Sequence, residues 1–202
     1  PAEVAIGVGT SPVNVLLGAA SHDVRSQVIY TPAEVGAAGE LSALSLYVGT
    51  LPGQTLTNWT IRMKHTSRAN FSTDKSWESS GWTVVHQSDQ TISSTGWVAF
   101  PFSTDFSYNG TDNLLVDLSF NNTIASTSGT VRYSSASSQR TMYASSDSTA
   151  GDPLTWSGTI PAPSGSSTIW NIKLAKGTGG LPISPSVAGA FVNGVWSGEI
   201  TL

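Results

Sequence analysis

Histidines and serines are the residues on which catalysis would depend here, because the chain of 202 residues contains no cysteine. His22, His65 and His86 are far apart, and none stands in an HxH or HExxH spacing that would hold a metal ion. No GxSxG sequence gives a serine the context of a nucleophile. His22 and Asp23 could form an acid–base pair, although a hydrogen bond at a strand end is the simpler explanation. We therefore expect no catalytic residue and no enzyme.

Two groups of aspartates could supply either a hydrolytic pair or the ligands of a calcium ion. Asp105, Asp112 and Asp117 lie close in sequence, as do Asp147 and Asp152. Glycoside hydrolases use paired carboxylates, whereas calcium binds the carboxylate and carbonyl oxygens of irregular loops. The candidate metal ligands are Asp112, Asp147 and Asp152. Turn capping is the simpler explanation for these three, so we expect either no cofactor or a structural calcium ion.

Tryptophans divide into strand positions and loop positions. Trp59, Trp97 and Trp170 fall on apolar strand faces, and we expect them in the core. The loop tryptophans are Trp77, Trp82 and Trp156. The apolar face of a sugar ring stacks on an aromatic plane, so these three are candidate sugar contacts. They could equally close the ends of a β-sandwich.

The polar faces of the predicted strands offer a second candidate surface. The residues that alternate there with core residues are Tyr47, Arg62, Lys64, Asp117, Asn171 and Lys173. On neighbouring strands they would form a mixed-charge patch able to hydrogen-bond a glycan, and arginine suits carboxylate or sulfate groups. Arg132 and Arg140 extend this hypothesis. A solvated outer face is the simpler explanation of the same pattern.

Strands must position these side chains, because apolar and polar residues alternate with a period of two along much of the chain. The predicted strands cover residues 26–31, 41–51, 58–66, 82–87, 96–102, 113–121, 130–134, 141–145 and 169–175. One apolar face on each strand predicts antiparallel sheets that are wet on one side. The sequence therefore predicts an all-β protein, a two-layer antiparallel β-sandwich of jelly-roll or related topology.

Two short sequences predict local turns. Thr31, Pro32 and Glu34 form a helix start, and Gly36 follows so closely that one short helical turn is expected near residues 32–35. The pair Asn109-Gly110 tolerates positive φ and predicts a tight turn between two strands.

Composition excludes several classes of protein. The chain has 9 Lys+Arg and 13 Asp+Glu, and its net charge is −4. No basic cluster indicates a nucleic-acid partner, and no apolar run approaches the roughly 18 residues of a membrane span. A low charge with 32 Ser, 23 Thr and 20 Gly is typical of extracellular bacterial β-proteins. We expect a secreted or cell-surface location.

The sequence changes character after Lys176. Residues 177–185 read GTGGLPISP, a linker composition. We predict a β-sandwich module at residues 1–176, followed at 177–202 by a linker and a terminal strand or the start of another domain. A strand beyond a linker could add to the sheet edge of another copy, so self-association through residues 183–202 is one prediction for this tail.

Six runs of sequence stand out together. They are RSQVIYTPAEVG at 25–36, LSALSLYV at 41–48, NWTIRMKHT at 58–66, GWV at 96–98, FSYNGTDNLLVD at 106–117 and RTMY at 140–143. Together they resemble a β-sandwich module of large secreted or surface proteins of environmental bacteria, over about residues 4–176. That module often stands beside immunoglobulin-like repeats, hydrolase domains and sorting signals. The resemblance implies a role in adhesion or carbohydrate binding, and no site residues carry over.

These observations order three hypotheses about function. We expect a non-catalytic carbohydrate-binding or adhesion module of a larger bacterial protein. Its partners would be a polysaccharide or surface glycan and the adjacent domains of the same protein. The alternative is a structural spacer or a self-assembling filament subunit joined by the C-terminal strand. An enzyme acting on glycans ranks last.

Overall fold

The computed structural model describes residues 2–147, 149–177, 190–192 and 195–197. Its strands are β1 (Ala2–Ile6), β2 (Pro12–Val13), β3 (Asp23–Tyr30), β4 (Gly39–Thr50), β5 (Leu56–Thr66), β6 (Thr83–Gln90), β7 (Gly96–Tyr108), β8 (Asn113–Asn121), β9 (Thr130–Ser135), β10 (Thr141–Ser146), β11 (Ser164–Ser166), β12 (Thr168–Trp170), β13 (Ile172–Lys176), β14 (Ala190–Val192) and β15 (Val195–Ser197). One α-helical turn, α1, spans Pro32–Val35, and a 3₁₀ turn spans Pro153–Thr155. No helix in these ranges is long and apolar enough to cross a membrane.

Two antiparallel sheets pack face to face, which confirms the predicted all-β sandwich. One sheet has six strands in the order β11-β10-β3-β8-β5-β6. The other has seven strands, in the order β1-β13-β4-β9-β12, with β2 paired to β9 and β7 paired to β4. The chain crosses repeatedly from one sheet to the other, a property shared with jelly-roll and Greek-key sandwiches.

The main core lies between the two sheets and is built by the alternation seen in the sequence. Leu44, Leu46 and Val48 of β4 are fully buried, and they face Trp59 and Ile61 of β5 within one hydrophobic cluster. The sequence alternation also predicts inward faces on β8 and on β12–β13, and the same cluster contains their residues, Leu114, Val116, Leu118, Phe120, Trp170, Ile172 and Leu174. Trp59 and Trp170 are core residues, as expected.

The six-stranded sheet is not wet on its outer side, contrary to the prediction. All eight residues of β3 are buried, because two loops, residues 67–82 and 149–163, lie over that side. We call these loops the cover. Between the cover and the sheet is a second hydrophobic cluster formed by Ile29, Phe71, Trp77, Leu115, Met142, Ala144 and Trp156. A strand that is covered on both sides needs no polar face.

The structure contains the two local turns that the sequence predicts, one at α1 and one at Asn109-Gly110. Thr31 donates both its backbone N–H and its hydroxyl to Glu34 Oε2, at 2.8 and 2.9 Å, and fixes the start of α1. Asn109 Oδ1 accepts from the backbone N–H of Thr111 at 3.0 Å. Gly110 has φ +75°, and a Cβ there would come within 2.6 Å of the Ala38 nitrogen. The predicted helical turn and tight turn are both confirmed.

The predicted strand 169–175 is two strands, because Asn171 interrupts it. The Asn171 amide donates to the Gly9 carbonyl at 2.6 Å, and its side-chain oxygen accepts from Ser134 Oγ at 2.8 Å. These bonds draw the segment after β1 against the sheet. Three short strands, β1, β2 and β11, have no counterpart among the predicted strands.

The tail beyond Gly177 is described only in part. The backbones of β14 and β15 pair with each other as a short antiparallel hairpin. Most of the predicted linker and most of the segment 183–202 lie outside the described residues. The domain division and self-association through this tail stay predictions.

Candidate functional site

The nine predicted ligand-binding residues fall on two different surfaces. Six lie at the outer side of the six-stranded sheet: Arg62, Lys64, Trp77, Trp82, Asp117 and Trp156. Three belong to the seven-stranded sheet or to the break between its strands: Tyr47, Asn171 and Lys173. The predicted polar patch depended on its strands being neighbours, and the structure divides its residues between the two sheets, so each surface is considered separately.

A buried ionic cluster centres on Asp117, in the middle of the six-stranded sheet. Arg25 Nε donates to Asp117 Oδ2 at 2.7 Å, and Gln27 Nε2 donates to the same oxygen at 2.8 Å. Arg62 reaches Asp117 Oδ1 at 3.1 Å from the neighbouring strand. Asp117 and Arg25 are fully buried and Arg62 is 7% exposed. We call Arg25, Gln27, Arg62 and Asp117 the Asp117 cluster.

Arg25 ties the Asp117 cluster to the cover. Its guanidinium donates to the backbone carbonyls of Trp156 at 2.6 Å and Glu78 at 2.7 Å. It also lies over the ring of Trp77, 4.8 Å from the centroid. Burial lowers the pKa of Arg25, although the neighbouring Asp117 acts to raise it. Nε of this guanidinium therefore binds the sheet at Asp117, and its two terminal nitrogens hold the cover.

Trp77 and Trp156 are structural residues of the cover. Their rings lie 5.7 Å apart, and they are 4% and 3% exposed. Each indole N–H donates to a backbone carbonyl, Trp77 to Pro161 at 2.9 Å and Trp156 to Ala150 at 3.1 Å. The sequence leaves open whether these two rings are exposed or help to close the sandwich, and the structure buries both because their loops fold onto the sheet.

Trp82 and Lys64 form the margin of the cover, where it meets solvent. Both are half-buried. Lys64 Nζ pairs with Glu78 Oε2 at 3.0 Å and lies 5.5 Å from the Trp82 ring centroid. Arg62 contacts the same ring at 5.1 Å. The polar groups here already satisfy one another, which leaves little for a ligand.

The outer side of the seven-stranded sheet carries aromatic rings that reach solvent. Trp97 of β7 is 39% exposed and is the one exposed aromatic side chain within residues 2–147 and 149–177. Tyr47 stands opposite it on β4, with ring centroids 5.4 Å apart and planes at 82°. Arg132 stacks on Tyr47 at 3.7 Å, and Lys173 lies 5.1 Å from the Trp97 ring. We call these four residues the Trp97 face.

The expectation that Trp97 belongs to the core is wrong. Residues 97–102 read WVAFPF, so every position is apolar and the alternation cannot tell one side of the strand from the other. The structure places Val98 and Phe100 against the core and leaves Trp97, Ala99 and Pro101 outside. The register with β4 could have indicated this, since Trp97 is paired with Tyr47, whose neighbours Leu46 and Val48 are both core residues.

Small side chains surround the Trp97 face. Lys173 is paired with Ala5 on one side and Ser45 on the other, and Ser45 is paired with Ala99. The side chains beside the aromatic rings are therefore short, and the two rings and two cations project beyond them. Such a surface fits a flat, extended ligand better than a small compact one.

The Asn171 side chain is not available to a ligand on either surface. It is 3% exposed, and its amide is engaged with Gly9 and Ser134. Its contribution is to fix the segment that carries Thr10 and Pro12 beside the Trp97 face.

The three candidate metal ligands lie in separate turns. Asp112 Oδ2 accepts from the Asn109 amide at 2.7 Å, Asp147 Oδ1 from the His22 backbone at 3.3 Å, and Asp152 Oδ1 from the Leu154 backbone at 2.9 Å. Within the described ranges, no group of three His, Asp or Glu residues is placed to hold a metal ion. Calcium binding stays a prediction, and no converging set of carboxylates among the described residues supports it.

Comparisons with protein-family models, with curated proteins and with solved structures find no match for this chain. The resemblance of its six sequence runs to a bacterial surface module therefore stays an expectation. Geometry and side-chain chemistry are the grounds on which a function can be assigned.

Proposed function

We propose that this chain is a non-catalytic glycan-binding or adhesion module that works outside the cell, and that the Trp97 face is its binding surface. The observation that carries the proposal is the exposure of Trp97 on the outer side of the seven-stranded sheet. An exposed indole is an unusual use of a side chain that most often lies in a core. A sugar ring stacked on it would remove that apolar surface from water.

Residues beside Trp97 can supply the hydrogen bonds that stacking alone does not provide. A sugar that stacks on Trp97 brings its hydroxyl groups close to Tyr47 and Lys173, which can hydrogen-bond them. Tyr47 is held edge-on against Trp97, and Arg132 fixes it from its other side. A surface whose side chains are already ordered loses little conformational entropy when it binds.

Affinity electrophoresis of the 202-residue chain tests the proposal. Native gels would be cast with plant, algal and bacterial polysaccharides and run with calcium and with chelator. We expect at least one polymer to retard the protein, and we expect Trp97→Ala and Tyr47→Ala to abolish most of the retardation. Ile160→Ala is the matched control, since Ile160 is 75% exposed on the cover above the other sheet.

Two results would contradict the proposal. Retardation that survives Trp97→Ala would place the binding surface elsewhere. Absence of retardation by every polymer, together with concentration-dependent assembly that requires residues 183–202, would favour the structural subunit. Loss of retardation with chelator would support the calcium prediction without affecting the assignment of the surface.

A further inference from the structure

Arg132 differs from every other arginine in the described residues. Arg25, Arg62, Arg68 and Arg140 each lie within 3.1 Å of a carboxylate oxygen. No Asp or Glu oxygen of the described ranges lies within 4.0 Å of the Arg132 guanidinium. Its charge is therefore not neutralised by a partner within the part of the chain that the structure describes.

The position of Arg132 is fixed although its charge is unpaired within the described ranges. Val131 beside it is fully buried, so Arg132 points to the outer side of the sheet. Its guanidinium lies over the Tyr47 ring at 3.7 Å. A guanidinium that lies over a ring at this distance still has N–H groups with which it can donate hydrogen bonds. These donors match two oxygens of one carboxylate or sulfate group.

A groove leads away from Arg132 along the sheet. It has a volume of about 280 Å³ and is lined by Thr10, Pro12, Gly49, Thr50, Thr130 and Arg132. Its hydroxyl groups suit a sugar, and Thr50 Oγ1 and Thr130 Oγ1 are 3.0 Å apart and share a hydrogen bond. Gly49 has little room for a side chain, since a Cβ there would come within 2.7 Å of Thr130 Oγ1, one of the hydroxyl groups that line the groove.

The other cation of the Trp97 face does not compete for an anion. Lys173 Nζ pairs with Glu3 Oε2 at 2.9 Å, which neutralises it locally. The face as a whole therefore carries one net positive charge at Arg132, although the chain as a whole carries −4. The positive charge of Arg132 attracts an anionic ligand to this point, whereas the net negative charge of the rest of the chain repels it.

We propose that the ligand of the Trp97 face is an acidic polysaccharide whose carboxylate or sulfate group is bound by Arg132, with the sugar that carries it seated in the groove and a neighbouring sugar on Trp97. This inference rests on the proposed function, because it names the class of glycan bound at the same surface.

Matched pairs of polymers test the inference. Polygalacturonate would be compared with the same polymer after reduction of its carboxyl groups, and dextran sulfate with dextran, at constant ionic strength. We expect an acidic polymer to bind more tightly than its neutral counterpart, and the pair that shows the difference identifies the anionic group. Arg132→Gln should weaken binding of the acidic polymer about tenfold or more and leave it close to that of the neutral one.

Lys75→Gln is the control for net charge, because it removes one positive charge from the cover, above the other sheet. It should bind like the unmodified chain. Equal binding of acidic and neutral polymers, or an equal loss in Lys75→Gln and Arg132→Gln, would overturn the inference. The proposed function would still stand in either case if Trp97→Ala abolished binding, whereas binding that is insensitive to Trp97→Ala would overturn both.

Discussion

At the scale of single residues, the two surfaces use the same side-chain types for opposite purposes. Arginines and tryptophans meet in the Asp117 cluster and its cover, where each nitrogen of the Arg25 guanidinium has a protein partner. On the Trp97 face, Arg132 contacts a ring and no carboxylate of the described residues. Arg132, on the proposed binding surface, differs from Arg25 in having no carboxylate partner among the described residues, and residue type alone does not reveal this difference.

Removing the carboxylate of Asp117 should destabilise the protein strongly. Asp117→Asn leaves two buried guanidinium groups without their counter-charge, and such losses cost about 3–5 kcal/mol. The free energy of unfolding from urea titration measures the effect. Glu3→Gln makes the same chemical change in the exposed pair with Lys173 and should cost less than about 1 kcal/mol. Equal losses in the two variants would contradict a central role for Asp117.

Glu34 should make stability sensitive to acid. Partial burial acts to raise the pKa of Glu34, but hydrogen bonds from Arg140 and Thr31 outweigh it, so the folded-state pKa lies below the ordinary 4.5. Its contribution is therefore complete above that ordinary value and is lost as pH falls through the lower folded-state pKa. We expect the stability difference between the unmodified chain and Glu34→Gln to shrink on acidification, as measured by urea midpoints. A difference that stays constant down to about pH 3 would refute this.

At the scale of elements, the period-two pattern of the sequence predicts the strands and does not predict the cover. The strands follow from alternation, and β8 has the predicted bounds of 113–121. The cover has no periodicity, since its loops are held by individual bonds such as that from the Trp77 indole to Pro161. The sequence alternation predicts that Arg62 and Asp117 point away from the main core. It does not predict that they are buried, because their burial depends on the loops of the cover. The split at Asn171 likewise depends on a distant partner, Gly9.

Trp77→Ala should separate the role of the cover from that of the Trp97 face. Truncating a buried tryptophan costs about 3–5 kcal/mol. Trp97→Ala truncates a ring that is already 39% exposed and should cost no more than about half as much. Folded Trp77→Ala should still be retarded by the polysaccharide that the unmodified chain binds, whereas Trp97→Ala should not. The reverse order of effects would assign binding to the cover.

At the scale of the whole molecule, the sandwich is asymmetric. One outer side is closed by the cover, whereas no comparable hydrophobic cluster lies on the outer side of the other sheet among the described residues. The edges of the two sheets also meet at one side, where His86 Nδ1 lies 2.8 Å from the Pro101 carbonyl and Ser103 Oγ donates to Val85 at 3.3 Å. Side-chain bonds of this kind occupy backbone groups that an edge strand would otherwise offer to another chain. The accessible surface that remains most distinctive is the Trp97 face.

The pairing of β1 with β13 also decides how the sandwich transmits force. Ala2 is paired with Lys176 and Ile6 with Ile172, so the first and last strands of the sandwich lie side by side, with their outer ends together. A load applied between Ala2 and Lys176 acts across the strands, along their hydrogen bonds, and therefore meets one residue pair at a time. Under such a load the hydrogen bonds between the two strands break one after another, whereas a load along the strands would stress them together. The rest of the sandwich lies to one side of the line that joins the two loaded residues.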